Sequence, residues 1–513
     1  MYRSVAPAVL APLLSCAPFI PQTKGITEQF FLDPDVELTT PAFRKSSGFT
    51  RHGELVAYLE ELRARGKGRV EVESVGASQQ GRDIPMVLLG GTSTTSKPLR
   101  VWFQGGLHGN EPASSEGLLE LLRALVDGPD AAELLAEIRL AVVPVANVDG
   151  YEVQRRTAVN GLDLNRDQTK LLAPETRLLK RAFNRFRPHV AIDFHEYRPY
   201  RRDFVRFGRR GITQIYDVMF LYSGNLNVPE ALRRFIREIY VAKAAEAVES
   251  RGLRQHDYIT TRDIYGETHF NRGSTNARSS ATSFALANTV AALVEVRGVG
   301  LDRAAFKRRV MTTYWVARSF LDTAAREREA TRETLQLSAS PTPSVVVRSR
   351  RAPEHARIRA IDVADEKEIE LDVRVRNALA SKPVLQRARP YAYVLKPDAA
   401  PEVQRLEVLG LSVARLSKDR SLTAQAFRVV EHTRAPYRQE GVRRQDVRTE
   451  LFEAEVDFPA GSFVVRMDQP RAPLAAETLE PEMDNSFVAW GVQETSEGAV
   501  LPVYRVMSPF DID

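Results

Sequence analysis

VWFQGGLHGNEPASSEGLLELL, residues 101–122, contains the passage that decides the fold. An apolar run, Val101 to Gln104, breaks at Gly105-Gly106. An amphipathic helix then starts near Ala113. This strand–turn–helix order places His108 and Glu111 at the carboxyl end of a strand, where open α/β sheets carry their sites. Histidine and carboxylate are suitable zinc ligands, but a lone H-x-x-E is weak on its own.

Working outward, helix and strand periods alternate. A helix is expected over 50–66, where Leu55, Tyr58, Leu59 and Leu62 recur at helical spacing. Strands are expected over Val70–Val75, Ile84–Leu89, Arg100–Gln104, Arg139–Val145, Val190–Phe194 and Ala292–Val296, and helices over Ala113–Leu125, Pro174–Phe186, 229–250 and Arg303–Thr334. This alternation argues for an α/β fold, a mixed and largely parallel sheet flanked by helices. The catalytic domain is expected over 45–334. Residues 335–355, LQLSASPTPSVVVRSRRAPEH, read as a linker. Residues 356–513 read as a β-rich C-terminal domain of short alternating segments.

The bulk numbers fit a multidomain globular protein: 513 residues, 43% hydrophobic, 27% charged and net charge +6. The densest basic run, Tyr200–Arg210, reads as a solvated loop, and no nucleic-acid partner is expected. The single cysteine, Cys16, excludes an intramolecular disulfide. Residues 1–22 read as a signal peptide: Arg3, an apolar run from Val5 to Leu14, then Ser15-Cys16. Leu13–Cys16 also has the layout of a lipoprotein box. The expectation is an exported bacterial protein, periplasmic or held at the outer membrane through a lipidated Cys16.

A third zinc ligand is available in VAIDFHEY, where His195 follows an apolar run. Two histidines and a glutamate leave a fourth position open, the catalytic rather than the structural arrangement. Glu295, in AALVEVRG, is an acid on an apolar strand and suits a general base. Arg297 is either its ion-pair partner or a further site residue. Between the ligand segments, residues 147–167 carry Arg155, Arg156, Asn165 and Arg166, groups suited to a carboxylate or a polarised carbonyl.

This ordered set resembles the carboxypeptidase A-like zinc metallocarboxypeptidases: HGNE, NVDGY, the arginine pair, GLDLNRD, the histidine of DFHEY and the glutamate of LVEVRG. VGASQQGRDIPMVLLG, residues 75–90, and a β-rich tail are similar to bacterial members. The resemblance spans about residues 45–325. It implies Zn2+ on His108, Glu111 and His195, with Asp163 supporting His108. It implies that Asn165 and Arg166 hold the substrate's terminal carboxylate and that Glu295 is the general base. One arginine of the 155–156 pair would stabilise the oxyanion: distance from GLDLNRD favours Arg156, and the R-x-T pattern favours Arg155. Tyr197 matches a tyrosine of the substrate subsites. The family's mobile tyrosine has no counterpart between residues 266 and 294, leaving Tyr258 or Tyr265 for that role. Arg272 and Arg278, in NRGSTNARSSA, suggest a basic specificity pocket.

The implied function is hydrolysis of the C-terminal peptide bond of peptides or peptide-like substrates. Two alternatives stand beside it: a cell-wall peptide amidase or N-acyl amino acid deacylase of the same superfamily, and a non-catalytic peptide-binding protein.

Overall fold

Four strands, Ile138–Val143, Leu99–Gly105, Val190–Tyr197 and Val290–Arg297, run parallel in that order through the middle of an eight-stranded sheet. The computed structural model describes residues 22–91 and 97–512. Cys16 and the expected signal segment up to residue 21 lie outside the described residues. Asp83–Gly90 and Val70–Ala77 extend one edge antiparallel; Val218–Leu221 and Gln255–Asp257 extend the other.

Strands buried on both faces read as continuous apolar runs. Val190–Tyr197 shows why, being buried at all eight positions. Helices flank the sheet. Trp102 on the sheet meets Phe183 of the Pro174–Phe186 helix edge-on at 5.7 Å. The helices Pro112–Asp127 and Phe306–Arg326 approach closely because Gly117 lacks a side chain: a Cβ there would lie 2.3 Å from Thr313 Cβ. Among the described residues, no helix is long and apolar enough to cross a membrane.

Two expectations need correction. Residues 335–355 do not form a linker. They complete the helix Arg328–Ser338 and begin the 19-residue strand Ser344–Asp362. That strand pairs with Lys367–Ala388 through register shifts at Val346/Arg348, Arg348/Ser349 and Arg350/Ala352, so its alternation is locally lost. The helix expected over 229–250 is interrupted by a π-helical stretch at Ile236–Val241.

The C-terminal region supplies two sheets. One has six strands, all from residues beyond 391. The other is shared: Ser344–Asp362 and Lys367–Ala388 are flanked by Ile212–Gln214 on one side and by Glu267–Arg272 and Ile259–Ile264 on the other. The two parts of the chain are therefore joined by backbone hydrogen bonds. A chain ending at Ser340 should leave Ile212–Gln214 without its partner strand and Glu267–Arg272 paired on one side only, to Ile259–Ile264. It is expected to be insoluble or to melt well below the full chain in circular dichroism; a truncated protein as stable as the full chain would contradict the shared sheet.

Candidate active site

The first ligand loop is shaped by glycine. Gly106 adopts φ +58°, and a Cβ on Gly109 would lie 2.1 Å from the Gly150 carbonyl carbon. Only a bare backbone allows this approach. The chain then enters the Pro112–Asp127 helix with Glu111 as its N-cap residue and Pro112 at its first position. His195 comes from Val190–Tyr197, and the parallel register sets it directly beside Glu295 on Val290–Arg297. Neighbours in register project to the same face of a sheet.

His108, Glu111 and His195 converge. Their ligand atoms lie within 4.8 Å of one another, and all three residues are buried. His108 Nδ1 is 2.7 Å from Glu111 Oε1; His195 Nδ1 is 2.8 Å from Glu111 Oε2. The two Nδ1 atoms are 3.0 Å apart. Tetrahedral ligands at about 2.0–2.1 Å from zinc stand on the order of 3.3 Å from each other. The three donors therefore fit a zinc ion after an outward adjustment of a few tenths of an ångström.

Each imidazole turns its other nitrogen to a carboxylate. His108 Nε2 meets Asp163 Oδ1 at 3.1 Å, and His195 Nε2 meets Asp193 Oδ2 at 2.8 Å. With Nε2–H donating outward, both Nδ1 lone pairs point into the cluster. Asp163 also accepts from Asn165 N at 2.8 Å and from Arg156 Nε and Nη2 at 3.1 and 3.0 Å. Asp193 is fully buried and was not singled out in the sequence. Its signal was present: an acid two residues before a ligand histidine, on the same face of an apolar strand.

Burial would raise the carboxyl groups of Glu111 and Asp163, yet both are held well below the usual carboxylate range. His108 and His195 outweigh burial at Glu111; His108 and Arg156 do so at Asp163. Burial would lower His195, but Asp193 and Glu111 raise it. Glu295 behaves differently. Burial pushes its carboxyl up to about 7, with Glu111 adding to the rise and His195 opposing it.

The comparisons with known proteins point to one family. The zinc carboxypeptidase family model matches residues 55–199. Carboxypeptidase 2 of Trichophyton tonsurans is 31% identical over 477 residues, covering 90% of this chain and 87% of its own. The chain belongs to the zinc carboxypeptidase family. Carboxypeptidase 2 of Trichophyton rubrum is 30% identical, again over 90% of this chain and 87% of its own. A solved metallo-carboxypeptidase from Pseudomonas aeruginosa is 22% identical, with TM-score 0.41 over 55% of this chain and 70% of that one. Coverage of 90% carries the Trichophyton likeness well into the β-rich C-terminal region.

The expected placement as a bacterial periplasmic or outer-membrane lipoprotein is corrected by these relatives. Both Trichophyton relatives, which match along most of the chain, are fungal, and the lipoprotein reading of Leu13–Cys16 presupposes a bacterial envelope.

Further residues of this metallocarboxypeptidase divide into those brought to the cluster and those held elsewhere. Arg156 reaches it, with Nη1 3.5 Å from Glu111 Oε1. Arg155 is exposed and makes no such approach. Asn165 is buried, and its Oδ1 accepts from Ser280 N at 2.8 Å. Arg166 follows it, with Nη1 donating to Asn165 O at 2.7 Å. Tyr258 lies within the field of Glu295, Arg166 and Arg156, and its hydroxyl is pushed up to about 12, mainly by burial and then by Glu295. Tyr265 is fully exposed.

Three expectations fail here. Tyr197 is not at the cluster: its hydroxyl donates to Tyr216 O, and its ring lies in a separate apolar group with Ile215 and Met219. Its place two residues after His195 indicates the same strand face, but the strand is ending there. Arg297 is structural, with Nε donating to Gln214 O and its guanidinium over Phe31 at 3.9 Å. Arg272 and Arg278 do not form a free basic pocket, because they pair with Glu354 and Glu440.

Two substitutions test the cluster by metal analysis. His195→Ala should lose most bound metal. Asp193→Asn should keep the ligand but weaken metal affinity by about 10–100-fold, as loss of a ligand's outer partner does. Unchanged affinity in Asp193→Asn would show that Asp193 does not orient His195.

Proposed function

We propose that the chain removes C-terminal residues from peptides by zinc-dependent hydrolysis, with Glu295 as general base. This reading is supported by the register of Glu295 with His195, which puts a buried carboxylate on the same sheet face as one of the three clustered residues. Zinc held by His108, Glu111 and His195 would supply the Lewis acidity that makes water nucleophilic near neutral pH and polarises a carbonyl.

Glu295 accepts the proton of the attacking water and returns it to the departing amine. A carboxyl group raised toward neutral pH suits both transfers, and a nearby dication would hold it ionised before attack. Arg156 is fixed by two hydrogen bonds to Asp163, leaving Nη1 toward the cluster to stabilise the developing oxyanion. Asn165 and Arg166 sit on the adjoining short helix Leu164–Arg166 and suit the terminal carboxylate. Tyr258, whose hydroxyl feels the charges of Glu295, Arg166 and Arg156, is the tyrosine we assign to close on substrate.

Glu295→Gln should retain zinc and lose about 10²–10⁴-fold in kcat. Near-normal turnover in that variant would reject the mechanism. Peptides with a free terminal carboxylate should be cleaved and their amidated counterparts should not, as read by mass spectrometry of the products. Equal cleavage of both would favour an amidase instead.

A further inference from the structure

The Arg420–Arg434 and Gln445–Phe458 strands are joined by a connection whose tip reaches the catalytic part of the chain. At that tip, Gln439 and Val442 exchange backbone hydrogen bonds around Glu440 and Gly441. Both turn residues have positive φ, +51° and +84°. Asparagine or glycine is the usual choice at the first of these positions. Glutamate there is uncommon, so a specific contact is the natural place to look for its reason.

The Glu440 side chain provides that contact. Its carboxylate pairs with Arg278 and lies 2.9 Å from Lys170 Nζ. The Lys170 side chain is 1% exposed and that of Arg278 is 10% exposed. Below them is Trp490, also from the C-terminal region, with its ring centre 3.7 Å from Arg278 Cζ and 4.7 Å from Lys170 Nζ. Gln445 fixes this second loop beside the first: its backbone N–H donates to Ala489 O, and its side chain donates to Val488 O. One carboxylate and one indole face thus receive two buried cations.

Those cations sit on the two loops that form the Asn165–Arg166 subsite. Lys170 follows Arg166 by four residues, and Arg278 precedes Ser280 by two. The loops already touch through Gln168 N to Arg278 O at 3.2 Å and Ser280 N to Asn165 Oδ1 at 2.8 Å. We propose that Glu440, carried by the C-terminal region, is a positioning residue for the terminal-carboxylate subsite. It ties the 163–170 loop to the 272–280 loop by pairing with both Lys170 and Arg278. This rests on the assignment of Asn165 and Arg166 made above. It also gives the C-terminal region a role in substrate binding.

The test is steady-state kinetics of full-length Glu440→Gln on a free-acid peptide, with zinc content and melting temperature measured alongside. The expected loss in kcat/KM is on the order of ten- to a hundredfold, carried by KM, with kcat nearly unchanged. Glu440→Asp, which keeps the charge, should recover part of the KM. Arg278→Gln removes the other end of the same pair and should reproduce the KM rise if Glu440→Gln fails to fold. Wild-type KM in a folded Glu440→Gln protein would overturn the inference while leaving the hydrolytic reading intact. A fall in kcat equal to the fall in kcat/KM would also overturn it. Wild-type protein that releases no terminal residue would instead defeat the reading of the site, and this inference with it.

Discussion

Two imidazole Nδ1 atoms 3.0 Å apart, both touching one carboxylate, make an arrangement that depends on a shared positive charge. Two neutral nitrogens with lone pairs face to face repel each other, and buried Glu111 needs a cation. A divalent ion satisfies all three groups at once. The surrounding acids reinforce this demand. Asp163 and Asp193 hold the outer nitrogens, Glu295 lies in register alongside, and Arg156 is the guanidinium that reaches Glu111. The sheet, the glycine loop and the helix entry are the means by which the chain brings this excess of carboxylate to one buried point.

The backbone supplies the precision. Parallel register places His195 and Glu295 side by side without any side-chain contact being needed to align them. The close pass of Gly109 under Gly150 sets the position of His108 and links the ligand loop to the segment leading to Asp163. The C-terminal strands add a second constraint, because Glu267–Arg272 leads directly into the 272–280 loop and is itself held by Lys367–Ala388. The 272–280 loop is therefore supported from both parts of the chain.

Much of this was legible in the sequence because it followed local rules. The three candidate ligands and Glu295 each lie in or next to an apolar run ended by polar residues, a pattern that survives without knowledge of the fold. Arg156 is favoured over Arg155 by its distance from GLDLNRD in the sequence, while the R-x-T pattern favours Arg155; the loop's path brings Arg156 to Glu111. Tyr197 rested on the family resemblance, which does not show what packs around the end of the strand. Glu440 and Trp490 carried no local signal of a site. Their meaning comes from contacts across 162 and more residues, between Glu440 and Arg278 and between Trp490 and Arg278. The supposed linker was hidden by proline, serine and arginine in a strand whose register shifts mask its period.

The proposed chemistry turns on whether His108, Glu111 and His195 hold a catalytic metal. The most direct test is the metal content of the purified full-length protein by mass spectrometry, with release of terminal residues followed before and after chelation. About one zinc per chain is expected, with release that stops on chelation and returns when zinc is restored. Release that persists in protein freed of metal would contradict it.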